Sequence, residues 1–317
     1  MATQVTLGSG VVDSASGLKL RTNGTTEAVD ISTGQVVTLA KDAVVNGLTV
    51  GKGAGAVSTN TAVGASALAG NSTGARITTV GYRAGVATTA GYNAFFGSYA
   101  GEANTSGTFN TALGDASLPG NTSGSYNVAV GQGSLNANTT ASNNTAVGYR
   151  VGYSITTGYG NTAIGGDDSY PTLYNLTTGY NNVALGGRAG WNATTGTNNT
   201  FLGFNAGSNM TTGSKNVIVG GFGGNQGGLN ITTSSNYIVL SDGDGNPSLY
   251  HNQSIGFNLR GYDAADTSGI NFRNSSCTKY WGIATNSSDF FISNGAFTTY
   301  AALVSQSFSS WTFSSDR

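Results

Sequence analysis

The chain has 317 residues, of which 50 are glycine, while charged residues make up only 9% and the formal net charge is −1. A typical globular domain carries about 25% charged residues and about 7% glycine, so this composition is unlike that of an ordinary enzyme. The single cysteine excludes an internal disulfide framework, no apolar run approaches the ~18 residues of a membrane helix, and singly scattered Lys and Arg residues argue against phosphate-mediated nucleic-acid binding.

Residues 1–52 form an N-terminal region that lacks the repeat found further along the chain. Short segments rich in Val, Ile, Leu and Thr alternate with turn residues, which predicts strands. The predicted strands are 5–7, 17–21, 28–31, 36–39 and 47–50. Such a region suits a cap, because a stack of strands needs its open edge covered.

Residues 53–240 contain a repeat that is anchored by Asn, two small or β-branched residues, a large apolar residue and Gly, as in Asn-Thr-Ala-Val-Gly at 60–64. Successive anchor glycines lie 16 or 17 residues apart, except for one interval of 21. An eleventh anchor without its glycine is predicted at 236–240. The anchor glycines are Gly64, Gly81, Gly97, Gly114, Gly131, Gly148, Gly165, Gly186, Gly203 and Gly220.

The repeat predicts an all-β parallel solenoid, or β-roll, of about eleven 17-residue coils. Glycine at this density disfavours helix, and one unit is too short for two strands and a crossover helix. Each unit therefore makes one coil, whose strand pairs with the same strand of the next coil. At ~4.8 Å per strand, the stack is roughly 50 Å long.

Two neighbouring anchor positions are apolar in nearly every coil, for example Ala112 and Leu113. Successive strand residues point to opposite faces, so one position fills the coil and the other must be covered from outside. We therefore expect a homotrimer, in which identical chains pack around an axis. The alternative is a monomeric solenoid that tolerates apolar residues on its surface.

Residues 241–317 leave the repeat, and strands are predicted at 254–259, 269–273, 280–284, 289–293, 301–304 and 311–314. This region holds the only histidine and two of the three tryptophans. It is interpreted as a β tip domain that binds a receptor through aromatic side chains; the alternative is an ordinary aromatic core. The candidate contact residues are Tyr250, His251, Tyr280 and Trp281.

Little material for catalysis is present, so the chain is not expected to be an enzyme or to bind a metal or cofactor. A lone His251 without a Gly-x-Ser-x-Gly elbow does not make a triad, and a zinc site lacks its four ligands. Asp167 and Asp168, in the 21-residue interval, could serve a glycosidase, but a solvated turn is favoured. Asp242 and its neighbours copy the start of a calcium loop, where a turn is again favoured.

The anchors resemble the head repeats of trimeric autotransporter adhesins, which form trimeric β-rolls. Together with the segments 46–51 and 238–246, they resemble bacteriophage tail fibres more closely. This resemblance implies a virion fibre whose N-terminal region binds other virion proteins. The ending Ser-Ser-Asp-Arg is similar to the junction with an endosialidase-type chaperone, which implies one precursor cleavage before Ser315, between Ser314 and Ser315.

These observations predict a structural and adhesive fibre subunit of a phage virion, exposed on the particle and bound to host surface glycan or another receptor. It should bind no nucleic acid and insert into no membrane. The alternatives are a bacterial cell-surface trimeric adhesin, an ice-binding solenoid with ranked threonines and a polysaccharide depolymerase that uses Asp167 and Asp168.

Overall fold

Every regular element that the structure describes is a β-strand. The computed structural model describes residues 48–252, together with the backbone of strands at 43–45, 256–259, 268–273, 280–285, 290–293 and 301–303. Contacts divide the chain into two units, Met1–Lys41 and Asp42–Arg317. The first unit, and with it the predicted strands at 5–7, 17–21, 28–31 and 36–39, lies outside the described residues.

In the described part of the second unit, 21 strands are arranged in one sheet of fifteen strands, one of four and one of two. Its strands are β1 Ala43–Val45, β2 Leu48–Gly51, β3 Thr61–Val63, β4 Thr78–Val80, β5 Ala94–Phe96, β6 Thr111–Leu113, β7 Val128–Val130, β8 Thr145–Val147, β9 Thr162–Ile164, β10 Val183–Leu185, β11 Thr200–Leu202, β12 Val217–Val219, β13 Asn225–Gln226, β14 Leu229–Asn230, β15 Tyr237–Ser241, β16 Pro247–Asn252, β17 Gly256–Leu259, β18 Ser268–Arg273, β19 Tyr280–Thr285, β20 Phe290–Ser293 and β21 Ala301–Leu303.

Strands β3 to β12 and β15 stack in parallel, one strand per coil, which confirms the predicted solenoid of about eleven coils. The predicted register of the eleventh anchor is wrong by one residue. Val217 pairs with Ile238, so Tyr237 occupies the anchor-Asn place and Ser241 occupies the glycine place. The coil 216–236 consequently has 21 residues and is a second long coil, in addition to the coil 161–181.

The core of the stack is formed by the middle residue of each three-residue strand, and this residue is buried in every coil. The smaller apolar position, for example Ala112, thus faces inward, while the larger position, Leu113, faces outward. Two coils place a phenylalanine inside instead, and glycines make room for it. A Cβ on Gly101 would lie 2.7 Å from the Phe95 ring, and a Cβ on Gly207 would lie 2.4 Å from the Phe201 ring.

The anchor asparagines form a buried column that joins the coils. The Asn144 side chain donates to the carbonyl of Gly158, which closes its own coil, and its Oδ1 accepts the backbone N–H of Asn161 in the next coil. Tyr237 continues this pattern by donating its backbone N–H to Asn216 Oδ1. Because each buried amide is paired in this way, the polar column costs the core little.

Each anchor glycine forms a tight corner directly after its strand, as the repeat predicts. All ten have φ between +103° and +140°, a conformation that is nearly restricted to glycine. The coils also approach closely at this point, since a Cβ on Gly97 would lie 2.3 Å from the Gly114 carbonyl oxygen. Positive φ and close backbone approach therefore act at the same position.

Antiparallel strands continue the sheet beyond both ends of the parallel stack. Strand β2 pairs with β3 and β1, and β16 pairs with β15 and β17. The predicted strand at 47–50 is thus confirmed within one residue, and the predicted strands at 254–259 and from 269 to 304 match β17 to β21 closely. The predicted strand at 311–314 lies outside the described residues.

Candidate functional site

The outward face of the parallel strands combines a continuous apolar column with a column rich in threonine, and it carries no charged residue. It consists of the first and third residue of each strand from β3 to β12, and of the aligned Ile238 and Leu240 of β15. Several of these side chains are well exposed, with Leu113 at 49%. With strands ~4.8 Å apart, the face extends for roughly 50 Å along the stack.

Aligning the coils on their glycines shows three arginines, Arg83, Arg150 and Arg188, two residues after an anchor glycine. The residue opposite each one in the following coil differs. Arg83 Nε lies 2.7 Å from Glu102 Oε1, and this hydrogen bond raises the pKa of Arg83. Opposite Arg150 stands Tyr174, and opposite Arg188 stands Ser208.

Arg188 lines a pocket of about 200 Å³ on the outside of the solenoid. Ser208, which is 4% exposed, contributes to the wall. Two polar atoms of this pocket's residues, Arg188 Nε and Asn205 Oδ1, are buried without a hydrogen-bond partner among the described residues. The complete lining is Arg188, Asn205, Ser208, Asn209, Gly221, Gly223 and Gln226.

Aromatic side chains hold Arg188 in place at the pocket. Its guanidinium carbon lies 5.6 Å from the Tyr170 ring centre and 5.4 Å from the Trp191 ring centre. Phe204 makes an edge contact with Tyr170 at 5.6 Å and is 55% exposed. The arrangement therefore combines one cation, amide and hydroxyl groups, and exposed aromatic surface, which can bind a small polar ligand.

The two long coils lie on either side of these residues. Tyr170 follows the four extra residues of coil 161–181, while Gly221, Gly223 and Gln226 belong to the long coil 216–236. Arg188 and Asn205 come from the two regular coils between them. The sequence interpretation missed this pocket, although aligning the three arginines and comparing Glu102 with Ser208 would have indicated it.

The two aspartates considered for glycan cleavage belong to a solvent-exposed turn. Asp167 Oδ1 accepts the backbone N–H groups of Ser169 and Tyr170, each at 3.0 Å. The Asp168 carboxylate accepts a hydrogen bond from the Tyr149 hydroxyl, which raises the pKa of Tyr149. These contacts account for both carboxylates as turn and surface groups, in agreement with the favoured interpretation.

The described candidate residues of the tip region, Tyr250 and His251, do not line this pocket. Tyr250 and His251 lie in β16, where Tyr250 is only 8% exposed and belongs to the core cluster of the stack. Tyr280 and Trp281 lie in β19, and their side chains are outside the described part of the chain. Ser314 and Ser315 are also outside it.

The calcium-like segment forms the turn between β15 and β16, as favoured from the sequence. Asp242 accepts both the backbone N–H and the side-chain amide of Asn246, and these bonds lower the pKa of Asp242. Within the described residues, no cluster of His, Cys, Asp and Glu could hold a metal ion. The same part of the chain contains no helix that could cross a membrane.

No protein-family model, curated protein or solved structure matches this chain.

Proposed function

We propose that this protein is a structural and adhesive fibre subunit of a bacteriophage virion that assembles as a homotrimer and attaches to host surface glycan. The outward strand face carries the proposal. An exposed apolar column of this length, flanked by threonines and without charge, is typical of an interaction surface.

Two further copies of this chain are the partners that suit the face best. A partner must present apolar side chains at the same ~4.8 Å spacing along the stack, and an identical solenoid does so by construction. Oligomers of identical chains usually close around a symmetry axis. A trimer whose axis runs beside this face would bury the outward face of each of the three chains. The glycine corners and the Arg188 pocket would stay accessible.

Two of the alternatives receive less support from the geometry. An ice-binding surface needs unbroken ranks of free hydroxyls, but the column of strand-face threonines between Thr61 and Thr200 is interrupted by Ala94, Val128 and Val183. A depolymerase would need free carboxylates, whereas Asp167 and Asp168 accept hydrogen bonds from their own turn and from Tyr149. A cell-surface trimeric adhesin would use the same assembly, so we retain it as the second candidate.

The native mass of the purified chain tests the assembly directly. We expect three times the chain mass of 31.9 kDa, and we expect the variant Leu113→Glu/Leu202→Glu to dissociate, because it places carboxylates on the apolar face. Ser123→Glu/Thr212→Glu is the matched control, since both residues are exposed turn residues of the same two coils.

A stable wild-type monomer would contradict the trimer. Circular dichroism of the dissociated variant must retain the β signal, which separates loss of assembly from loss of folding. Antibodies raised against the chain should label projections on virus particles, and labelling of bacterial surfaces instead would favour the cell-surface adhesin.

A further inference from the structure

We infer that the pocket lined by Arg188, Asn205 and Ser208 binds a carboxylated saccharide unit. The inference rests on the proposed attachment to glycan, and it adds the place of binding and the chemical class of the sugar. Nothing in the interpretation of the sequence placed a site in these coils.

The closed counterpart of this pocket elsewhere in the solenoid indicates what the arginine can bind. Arg83 occupies the same coil position as Arg188, and its Nε donates to the carboxylate of Glu102 from the next coil. The residue in the place of Glu102 is Ser208, which is too short to supply that carboxylate. A ligand carboxylate in the pocket would therefore take the place that the Glu102 side chain fills opposite Arg83.

Arg150 shows that losing the carboxylate does not by itself open a pocket. The aligned residue of the next coil is Tyr174, whose ring stacks on Tyr153 at 5.3 Å. Arg150 Nε is also unpaired, but an aromatic side chain stands where the ligand would enter. Only a small residue such as Ser208 leaves the space open.

A second unsatisfied atom favours a ligand that also carries a hydroxyl. Asn205 Oδ1 is an acceptor without a donor among the described residues, and a buried acceptor gains from a donor that fills this place. A carboxylate or sulfate alone offers it no proton. A sugar acid supplies both groups, since its carboxylate accepts from Arg188 and a ring hydroxyl can donate to Asn205.

The exposed aromatic surface beside Arg188 suits the remaining surface of a sugar ring. Phe204 is 55% exposed, and its ring can pack against the C–H groups of a pyranose. Tyr170 and Trp191 flank the guanidinium of Arg188 and fix its orientation, so its hydrogen-bonding edge is held toward the pocket with little loss of side-chain entropy on binding.

Titration of the full-length protein with two matched pairs of sugars tests the inference. The pairs are glucuronic acid with glucose and galacturonic acid with galactose, each followed by saturation-transfer NMR and calorimetry. We expect at least one acid to bind about ten-fold or more tightly than its neutral partner, because a charge-assisted hydrogen bond is lost in the neutral sugar.

Three variants assign that binding to the pocket. Ser208→Glu should abolish it by supplying an internal carboxylate to Arg188, and Arg188→Lys should weaken it about ten-fold or more by removing the planar donor edge. Asn205→Gly should also weaken it, because the variant removes the unpaired amide. Glycine suits the positive φ of +62° at this position. Arg150→Lys is the matched control and should bind as the wild type does.

The inference is overturned if neither acid binds, if each acid binds no better than its neutral partner, or if Ser208→Glu and Asn205→Gly both keep full affinity while folded. These outcomes are separate from those of the proposed function, because the pocket lies within one chain. A monomer that binds a sugar acid would contradict the trimeric fibre alone, while a trimer that binds host polysaccharide but neither acid would contradict the pocket alone.

Discussion

Two pairs of coils in this solenoid each bury a phenylalanine in their core but differ in their exteriors. In residues 77–109, the closed pair, Phe95 fills the core and Arg83 is paired with Glu102. In residues 182–215, the open pair, Phe201 fills the core in the same way, but Arg188 faces Ser208 and lines a pocket.

The difference teaches that a β-solenoid separates the residues that build a coil from those that decorate it. The inward residues and the corner glycine set the backbone path, which is shared by both pairs. The corner side chains point outward, so a change from glutamate to serine replaces an ion pair by a pocket without altering the strands. Function can therefore be located where otherwise equivalent coils differ.

The substitutions with the largest expected effect should destabilise the closed pair and the open pair alike. Gly97→Ala and Gly203→Ala put a Cβ within 2.3 Å and 2.6 Å of the next coil's carbonyl oxygen, at φ of +140° and +130°. We expect each to lower the free energy of unfolding by more than about 4 kcal/mol, measured by denaturant titration. Gly243→Ala is the control, because its Cβ would meet nothing within 4 Å; a loss similar to the control's would refute the shared corner.

A smaller effect tests whether the two interiors are equivalent. Phe95→Ala and Phe201→Ala each leave a cavity beside glycines that cannot fill it, so we expect each to cost about 3–4 kcal/mol. Thermal melting of both variants measures this loss. Clearly unequal losses would show that the two cores differ more than their aligned residues indicate.

The substitution with the smallest expected effect gives the closed pair the serine that the open pair carries. Glu102→Ser should lower the melting temperature only slightly, since the ion pair is partly exposed and screened by solvent. The pKa of Arg83 is raised by this pairing. The stabilisation of the fold by the ion pair is therefore fully present below the ordinary arginine pKa and is lost only as pH rises through the raised value. The difference in melting temperature between wild type and Glu102→Ser should thus stay nearly constant across neutral and mildly alkaline pH, and high salt should reduce it.

The sequence predicted the coils because their determinants are local. A strand triplet and its glycine recur at a regular interval, and each makes the same turn wherever it occurs. The last coil was misplaced for the same reason: Asn236 imitates the anchor residue, while pairing with β12 selects Tyr237 for that place. Strand β16 was missed because Pro247 and Asn252 mask its pattern.

The amino-acid sequence by itself determined the solenoid, its repeat length and its glycine corners, since short-range backbone preferences and an alternating pattern are sufficient for them. Only the tertiary structure decided which apolar position faces outward and which arginine lacks a partner. Both depend on residues 17 or more positions apart that meet across neighbouring coils, as Arg83 meets Glu102 and Arg188 stands opposite Ser208. Such contacts are set by the stacking register, which the pairing of neighbouring coils establishes.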